Sequence, residues 1–201
     1  MEALETHEKI EEAAHGHHAG ANSINRRIGL LISVLAALLA IAEAAGKSAQ
    51  TEGITRNVEA NDLWAFYQAK TIRMTTLRTA AESAQLDLLA PDLPEARRAA
   101  VQKQIDGWQA TAKRYDSEPE TNEGRKELIA RAKEAEHRRD HAMHAYHLYE
   151  YGSAAFQIAI VLASATVITG FLPMAWVAGG LGVVGMAFSL LGWLAPNAVH
   201  F

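Results

Sequence analysis

The sequence contains no cysteine. That excludes disulfides, thiolate metal sites and cysteine nucleophiles. It also lacks an excess of basic charge: 19 Lys and Arg stand against 23 Asp and Glu, for a net charge of −4. A nucleic-acid binder carries a basic footprint, so nucleic acid is not an expected partner. No P-loop, dinucleotide glycine motif, HExxH or GxSxG is present, and no nucleophile–base–acid constellation stands out. The chain is therefore not expected to be an enzyme, and no cofactor is expected. Nothing reads as β-strand, and no repeat of solenoid length is present.

Charge is missing locally as well. Residues 28–45 and 153–195 carry a single charged side chain between them, Glu43. A helix needs about 20 mostly apolar residues to cross a hydrocarbon core. Three segments qualify: 26–46, entered through Arg26 and Arg27; 152–172, without an ionisable residue; and 173–195, also without one. Pro173 divides the last two into a tight hairpin. Trp176 and Trp193 lie near the two ends of the third segment, about 25 Å apart along a helix, a separation that suits anchors at both interfaces. The alternative is a buried hairpin in a soluble protein, which would require an unusually large surrounding core. A signal peptide fits the first segment poorly, since the segment begins after an acidic tail.

Residues 47–151 are rich in strong helix formers. Leu63, Tyr67, Met74, Leu77, Ala81, Ala84 and Leu88 form a helical stripe interrupted at Lys70, whose stem is expected to cross the core while its amine seeks a carboxylate. Breaks fall at 91–94 and near 117–124. Asp92 with Glu95 resembles a capping box, with Pro94 in the first turn of the next helix. Leu128, Ala132, Ala135, Ala142, Tyr146 and Tyr149 mark a further stripe that runs into the second span. The expected fold is an all-α membrane protein: three transmembrane helices with a long, stalk-like helical hairpin between spans one and two. Residues 1–25 form an acidic, His-rich tail, with a helix expected over 2–14 and a flexible tail or an interfacial segment after it. Residues 196–201 form a C-terminal tail.

The stretches AEAAGKSAQT (42–51), NDLWAFYQAKTIR (61–73) and FQIAIVLAS (156–164), followed by a glycine-rich last span, resemble the bacterial membrane proteins catalogued as domain of unknown function 4337. The resemblance runs from about Arg26 to Ala195, and its most specific part is Trp64 to Lys70. It implies one span, a helical loop and a C-terminal hairpin in a bacterial inner membrane. It implies no activity.

Four features carry the candidate chemistry. His137, His141, His144 and His147, the first three on one helix face and with Glu136 and Asp140 close by, could hold a metal; the alternative is a membrane-proximal belt with Tyr146, Tyr149 and Tyr151. His15, His17 and His18 could add ligands. Trp64, Phe66 and Tyr67 are expected in the core of the helical hairpin or at a subunit contact. Small residues form seams in all three spans: Gly29, Ser33, Ala36 and Ala40; Ala155, Ala159, Ala163, Thr166 and Gly170; and Ala178, Gly182, Gly185, Ser189 and Gly192. Such seams let helices approach closely in lipid. Glu43 continues the first seam, where it either lines a pore or pairs with Lys47 at the interface. The seams predict a homo-oligomeric helical scaffold in the lipid bilayer, with an oligomeric ion channel or transport assembly as the alternative and any small-molecule or ion ligand unidentified. Arg26 and Arg27 favour a cytoplasmic N-terminus, with 47–151 periplasmic.

Overall fold

A computed structural model describes residues 2–198, with side chains described from residue 23 onward. Among the described residues the chain is entirely helical. Helix α1 spans Glu2–Asp87, α2 Glu95–Asp116, α3 Arg125–Thr169 and α4 Pro173–Leu194, with a final 3-10 turn at Pro196–Ala198. Three of these helices, α1, α3 and α4, are long and apolar enough to cross a membrane. Helix α1 is continuous from Glu2, which corrects the expectation of a flexible segment after residue 14. Gly16 and Gly20 do not break it, in keeping with a cost of only about 1 kcal/mol per glycine in a helix. The histidine tract at 15–18 lies outside the residues whose side chains are described.

The chain divides into two compact units. One is built from the segments up to Thr51 and from His141 onward; the other is Glu52–Asp140. Residues 47–51 and 141–151, placed by the sequence in the extramembrane region, thus group with the apolar helices.

In the first unit, α1, α3 and α4 pack around Ile28, Leu35, Ala42, Phe156, Ala159, Ala163 and Ala178. The outward faces keep large apolar side chains exposed, among them Leu30, Val34, Ile158, Val161, Val183 and Trp176. In water this would be a severe liability; against lipid tails it is the matched solvent. The turn between α3 and α4 is made by Gly170, at φ 70°, and by Pro173 at the start of α4. Glycine takes that left-handed conformation without steric cost, and proline at a helix start gives up no hydrogen bond.

Helix α4 presents its small residues inward. Ala178, Gly182, Gly185 and Gly192 are buried. A Cβ on Gly182 would come 2.7 Å from Leu35 Cδ2, and one on Gly185 would come 2.9 Å from Phe156 Cε1 and 3.0 Å from the Gly152 carbonyl oxygen. On α3, Ala155, Ala159, Ala163 and Thr166 are buried as well, whereas Gly170 belongs to the turn. The first span behaves differently. Its buried face is Ile28, Leu35, Ala42 and Gly46, while Gly29, Ser33, Ala36, Ala40 and Glu43 are exposed. The α1 seam therefore takes no part in the bundle of its own chain. A leucine knob from α1 enters the glycine hole on α4, so the bulky face of α1, not the small one, turns inward.

The second unit comprises three helical pieces, the C-terminal part of α1, α2 and the N-terminal part of α3, and not the two of a simple hairpin. Its core is Ala60, Leu63, Leu128, Ala132 and Ala135, with Trp64, Phe66 and Tyr67 packed against it. Lys70, Met74, Ala81, Ile105 and Ala112 are also buried. Helix α1 ends at Asp87, before Pro91, and Arg98 closes it by donating to the Leu88 carbonyl at 2.8 Å. Pro94 is the N-cap of α2, with no side-chain cap. The capping box expected from Asp92 is thus corrected: the helix starts after Pro94, and Asp92 stays in the preceding turn.

Gly185→Leu is expected to destabilise the bundle by about 1–3 kcal/mol, since added bulk in a close-packed site forces the helices apart. Gly179→Ala, where a Cβ would meet nothing within 4 Å, should be close to neutral. Thermal melts in a mild detergent compare the two, and equal melting temperatures would refute this packing.

Candidate functional site

Two clusters bring polar side chains together, one in each unit. In the second unit the WAFYQAK segment of α1 faces the start of α3. Trp64 and Tyr67 meet edge to face, with ring centroids 5.6 Å apart. The Trp64 indole donates to Glu136 Oε1 at 2.9 Å. Arg125, the first residue of α3, donates to Thr71 Oγ1, Tyr67 Oη and Asp116 Oδ1 at 2.9, 3.0 and 3.2 Å. Its guanidinium holds the Tyr67 phenol below the ordinary phenol range, chiefly through that hydrogen bond.

Lys70 lies one turn beyond Phe66 and is 5% exposed. Its ammonium sits 5.1 Å from the Phe66 ring centroid and 5.6 Å from that of Tyr115. Glu118 and Glu123 approach it at 3.6 and 3.7 Å. The stem crosses the core and the amine finds carboxylates, as the break in the stripe predicts. These carboxylates come from the α2–α3 loop, which is itself fastened. Ser117 Oγ donates to Glu127 Oε1 at 2.7 Å, and the Glu118 amide donates to Glu127 Oε2 at 3.2 Å. A side chain at Gly124 would collide with the Glu127 carboxylate and with the backbone of Ser117 and Glu118. The polar groups of this node thus find their partners within the unit, and Lys70 is buried among them. The arrangement joins helices; it holds no nucleophile with a base at hand. The sequence pattern marks Glu136 as a neighbour of the histidine stripe and Glu118 as part of a helix break, not as partners of Trp64 and Lys70, and it leaves Arg125 unmarked.

The metal candidate does not assemble. Among the described residues, no group of three His, Cys, Asp or Glu side chains could hold an ion. Instead, His144 Nδ1 lies 3.2 Å from Asn197 Oδ1 and His147 Nδ1 lies 3.5 Å from Glu150. His137 and His141 are exposed.

In the first unit the seam residues Ala178, Gly182, Gly185 and Gly192 are buried and Ser189 is half-buried, its hydroxyl donating to the Gly185 carbonyl at 2.9 Å. Glu43 is exposed and accepts a hydrogen bond from Gln157 Nε2 of α3 at 3.2 Å. It forms no ion pair with Lys47 among the described residues, although the two stand at i and i+4. The polar partner across the groove has taken the place of the one expected along the helix.

A family model described as a domain of unknown function, DUF4337, matches residues 24–195. The chain belongs to the DUF4337 family. The match covers both units, from the approach to the first span to the end of α4. No curated protein and no solved structure matches the chain. The family description carries no activity, so the chemistry of this DUF4337 chain rests on its own geometry.

Two outcomes test the polar node. Lys70→Ala should cost about 2 kcal/mol, because it removes both the buried stem and the charge facing two carboxylates, whereas Lys70→Met keeps the stem and should cost less. Ser117 holds the Glu127 carboxyl below the usual carboxylate range. A depressed folded-state value adds stability above the unfolded value and loses it as pH falls through the folded one. Glu127→Gln should therefore melt lower than wild type at neutral pH, and the gap should close in acid. A gap independent of pH would rule out this role.

Proposed function

We propose that this protein is a homo-oligomeric membrane scaffold, an interaction protein without catalytic activity. One observation carries the reading: the small-residue seam of α1, Gly29, Ser33, Ala36 and Ala40, is exposed, while the seams of α3 and α4 are filled within the chain. Lipid tails give helices no hydrophobic reason to associate, so association depends on close packing, and small residues allow it. A second copy offers the matching surface. The second unit supports the same reading, since its polar groups serve its own packing and present a helical body to partners.

A subunit of a conducting assembly is the second reading. It is favoured by Glu43 and Gln157, two polar side chains exposed on the outer surface of the apolar helices. Copies arranged about an axis would bring their Glu43 carboxylates into a ring that favours cations. In both readings the N-terminus lies in the cytoplasm and the second unit on the far side of a bacterial inner membrane, as Arg26 and Arg27 favour.

Ala36→Leu is expected to lower the oligomer mass in detergent while leaving the protomer folded, because residue 36 faces away from the bundle. An unchanged mass would sink the scaffold assembly. For orientation, a cysteine at the exposed Glu120 should react with an impermeant maleimide in right-side-out membrane vesicles; reaction only in inverted vesicles would reverse the topology. Cation flux through reconstituted wild-type protein that Glu43→Gln abolishes would favour the conduit over the scaffold.

A further inference from the structure

The groove between α1 and α3 in the first unit has a volume of about 460 Å³, within the ~300–1,000 Å³ typical of ligand sites. Its lining mixes polar and apolar side chains, beside outward faces that carry large exposed apolar residues. Glu43 and Gln157 form its deep end, within the two apolar segments. Lys47 lies one helical turn further along α1, about 6 Å toward the water at 1.5 Å per residue. Gln50, Tyr146 and Glu150 complete the outer end. The groove thus runs from the apolar segments to the polar residues that follow them, where a lipid headgroup would sit if those segments cross a bilayer.

The charges in it are not used up by one another. Glu43 is bonded to Gln157. Lys47 forms no ion pair among the described residues. Glu150 has His147 beside it at 3.5 Å, on its own helix. An acid and a base therefore line one pocket at the membrane surface, each with capacity left for a ligand. Ion pairing is stronger there than in bulk water, because the local dielectric is lower.

We propose that this groove is a headgroup site for a zwitterionic aminophospholipid of the surrounding bilayer. The phosphodiester takes the Lys47 ammonium and the lipid's primary ammonium takes the Glu150 carboxylate. The Glu43–Gln157 pair and Ser153 face the glycerol and its ester oxygens, and the acyl chains follow the exposed apolar faces of α1 and α3. Sign selects the lipid class. Two carboxylates against one ammonium repel a headgroup whose only charge is its phosphate, and accept one that carries its own cation. Carboxylate acceptors also favour a primary ammonium, which donates hydrogen bonds, over a quaternary one, which does not. The inference stands on a single protomer and does not depend on the assembly proposed above.

The test is native mass spectrometry of the full chain from a mild non-ionic detergent, titrated in parallel with phosphatidylethanolamine, phosphatidylcholine and phosphatidylglycerol. Phosphatidylethanolamine should be retained most strongly. Lys47→Gln should weaken its retention about fivefold, the effect of roughly one cationic contact at a lipid surface. Glu150→Gln should abolish the preference over phosphatidylcholine by lowering phosphatidylethanolamine retention more than phosphatidylcholine retention. Equal retention of all three lipids, or preference for phosphatidylglycerol, would overturn the site, and either result is read on the wild-type protein without any variant. Binding of free phosphoethanolamine with no preference among the lipids would overturn the lipid as its source. If Lys47→Gln lowers the oligomer mass in the absence of lipid, a second copy fills the groove and the proposal fails.

Discussion

The apolar bundle depends on the close approach of α3 and α4 at Gly152 and Gly185. A Cβ on Gly152 would come 2.6 Å from Ser189 Oγ and 3.0 Å from the Gly185 carbonyl oxygen, and one on Gly185 would meet the Gly152 carbonyl oxygen and Phe156. Each glycine leaves room for the other helix's backbone. In lipid that proximity is what holds helices together, since burying apolar surface gains little when the solvent is itself apolar. Phe156, 1% exposed, then fills the space beside Gly185, and Leu35 fills the notch at Gly182. Moving α4 outward would empty both. Gly152 thus has two effects: it weakens the helix slightly where α3 passes into its apolar half, and it permits the contact on which that half depends.

The second unit follows the rules of a water-solvated domain. Its hydrophobic stripe on α1 is broken by Lys70, and the break is structural. A buried ammonium would be costly alone, but here it has aromatic faces beside it and carboxylates at its tip. Those carboxylates belong to the α2–α3 loop, which Glu127 and Gly124 hold in shape. The loop is therefore ordered from two directions, by the cation beneath it and by the helix start beside it. Arg125 adds a third tie through Tyr67, Thr71 and Asp116.

Much of this is legible in the sequence, because it depends on periodicity along one helix. The three apolar segments, the turn at Pro173, the inward stripes of α1 and α3 and the reach of Lys70 all follow from spacing. What fails to show is whatever requires two helices at once. A row of small residues can be a surface that approaches a neighbour or one that waits for a neighbour not yet present; Gly182 and Ala36 are alike in this until Leu35 is seen entering the hole at Gly182. The partners of Trp64 and Arg125 lie 72 and 58 residues away for Glu136 and Tyr67, and no local pattern links them. The Asp92 cap fails for a local reason. Pro94 already occupies the N-cap with φ −57° and ψ 140°, an extended conformation from which the helix starts at Glu95, leaving Asp92 in the preceding turn.

Within the membrane, α1 has three faces with different neighbours. Ile28, Leu35 and Ala42 meet the bundle. Gly29, Ser33, Ala36 and Ala40 face away from the bundle. Glu43 and Lys47 border the groove with α3. Glu43 adjoins both outer faces, which is why its charge is so ambiguous in the sequence. It lies less than one turn from the end of the apolar segment, and Gln157 supplies it with a donor. A carboxylate in that position need not conduct to be useful: it sets the sign of the groove beside it. The same residue that would line a pore in a ring of copies therefore acts, in a single copy, as a filter on which lipid headgroup can settle against α1.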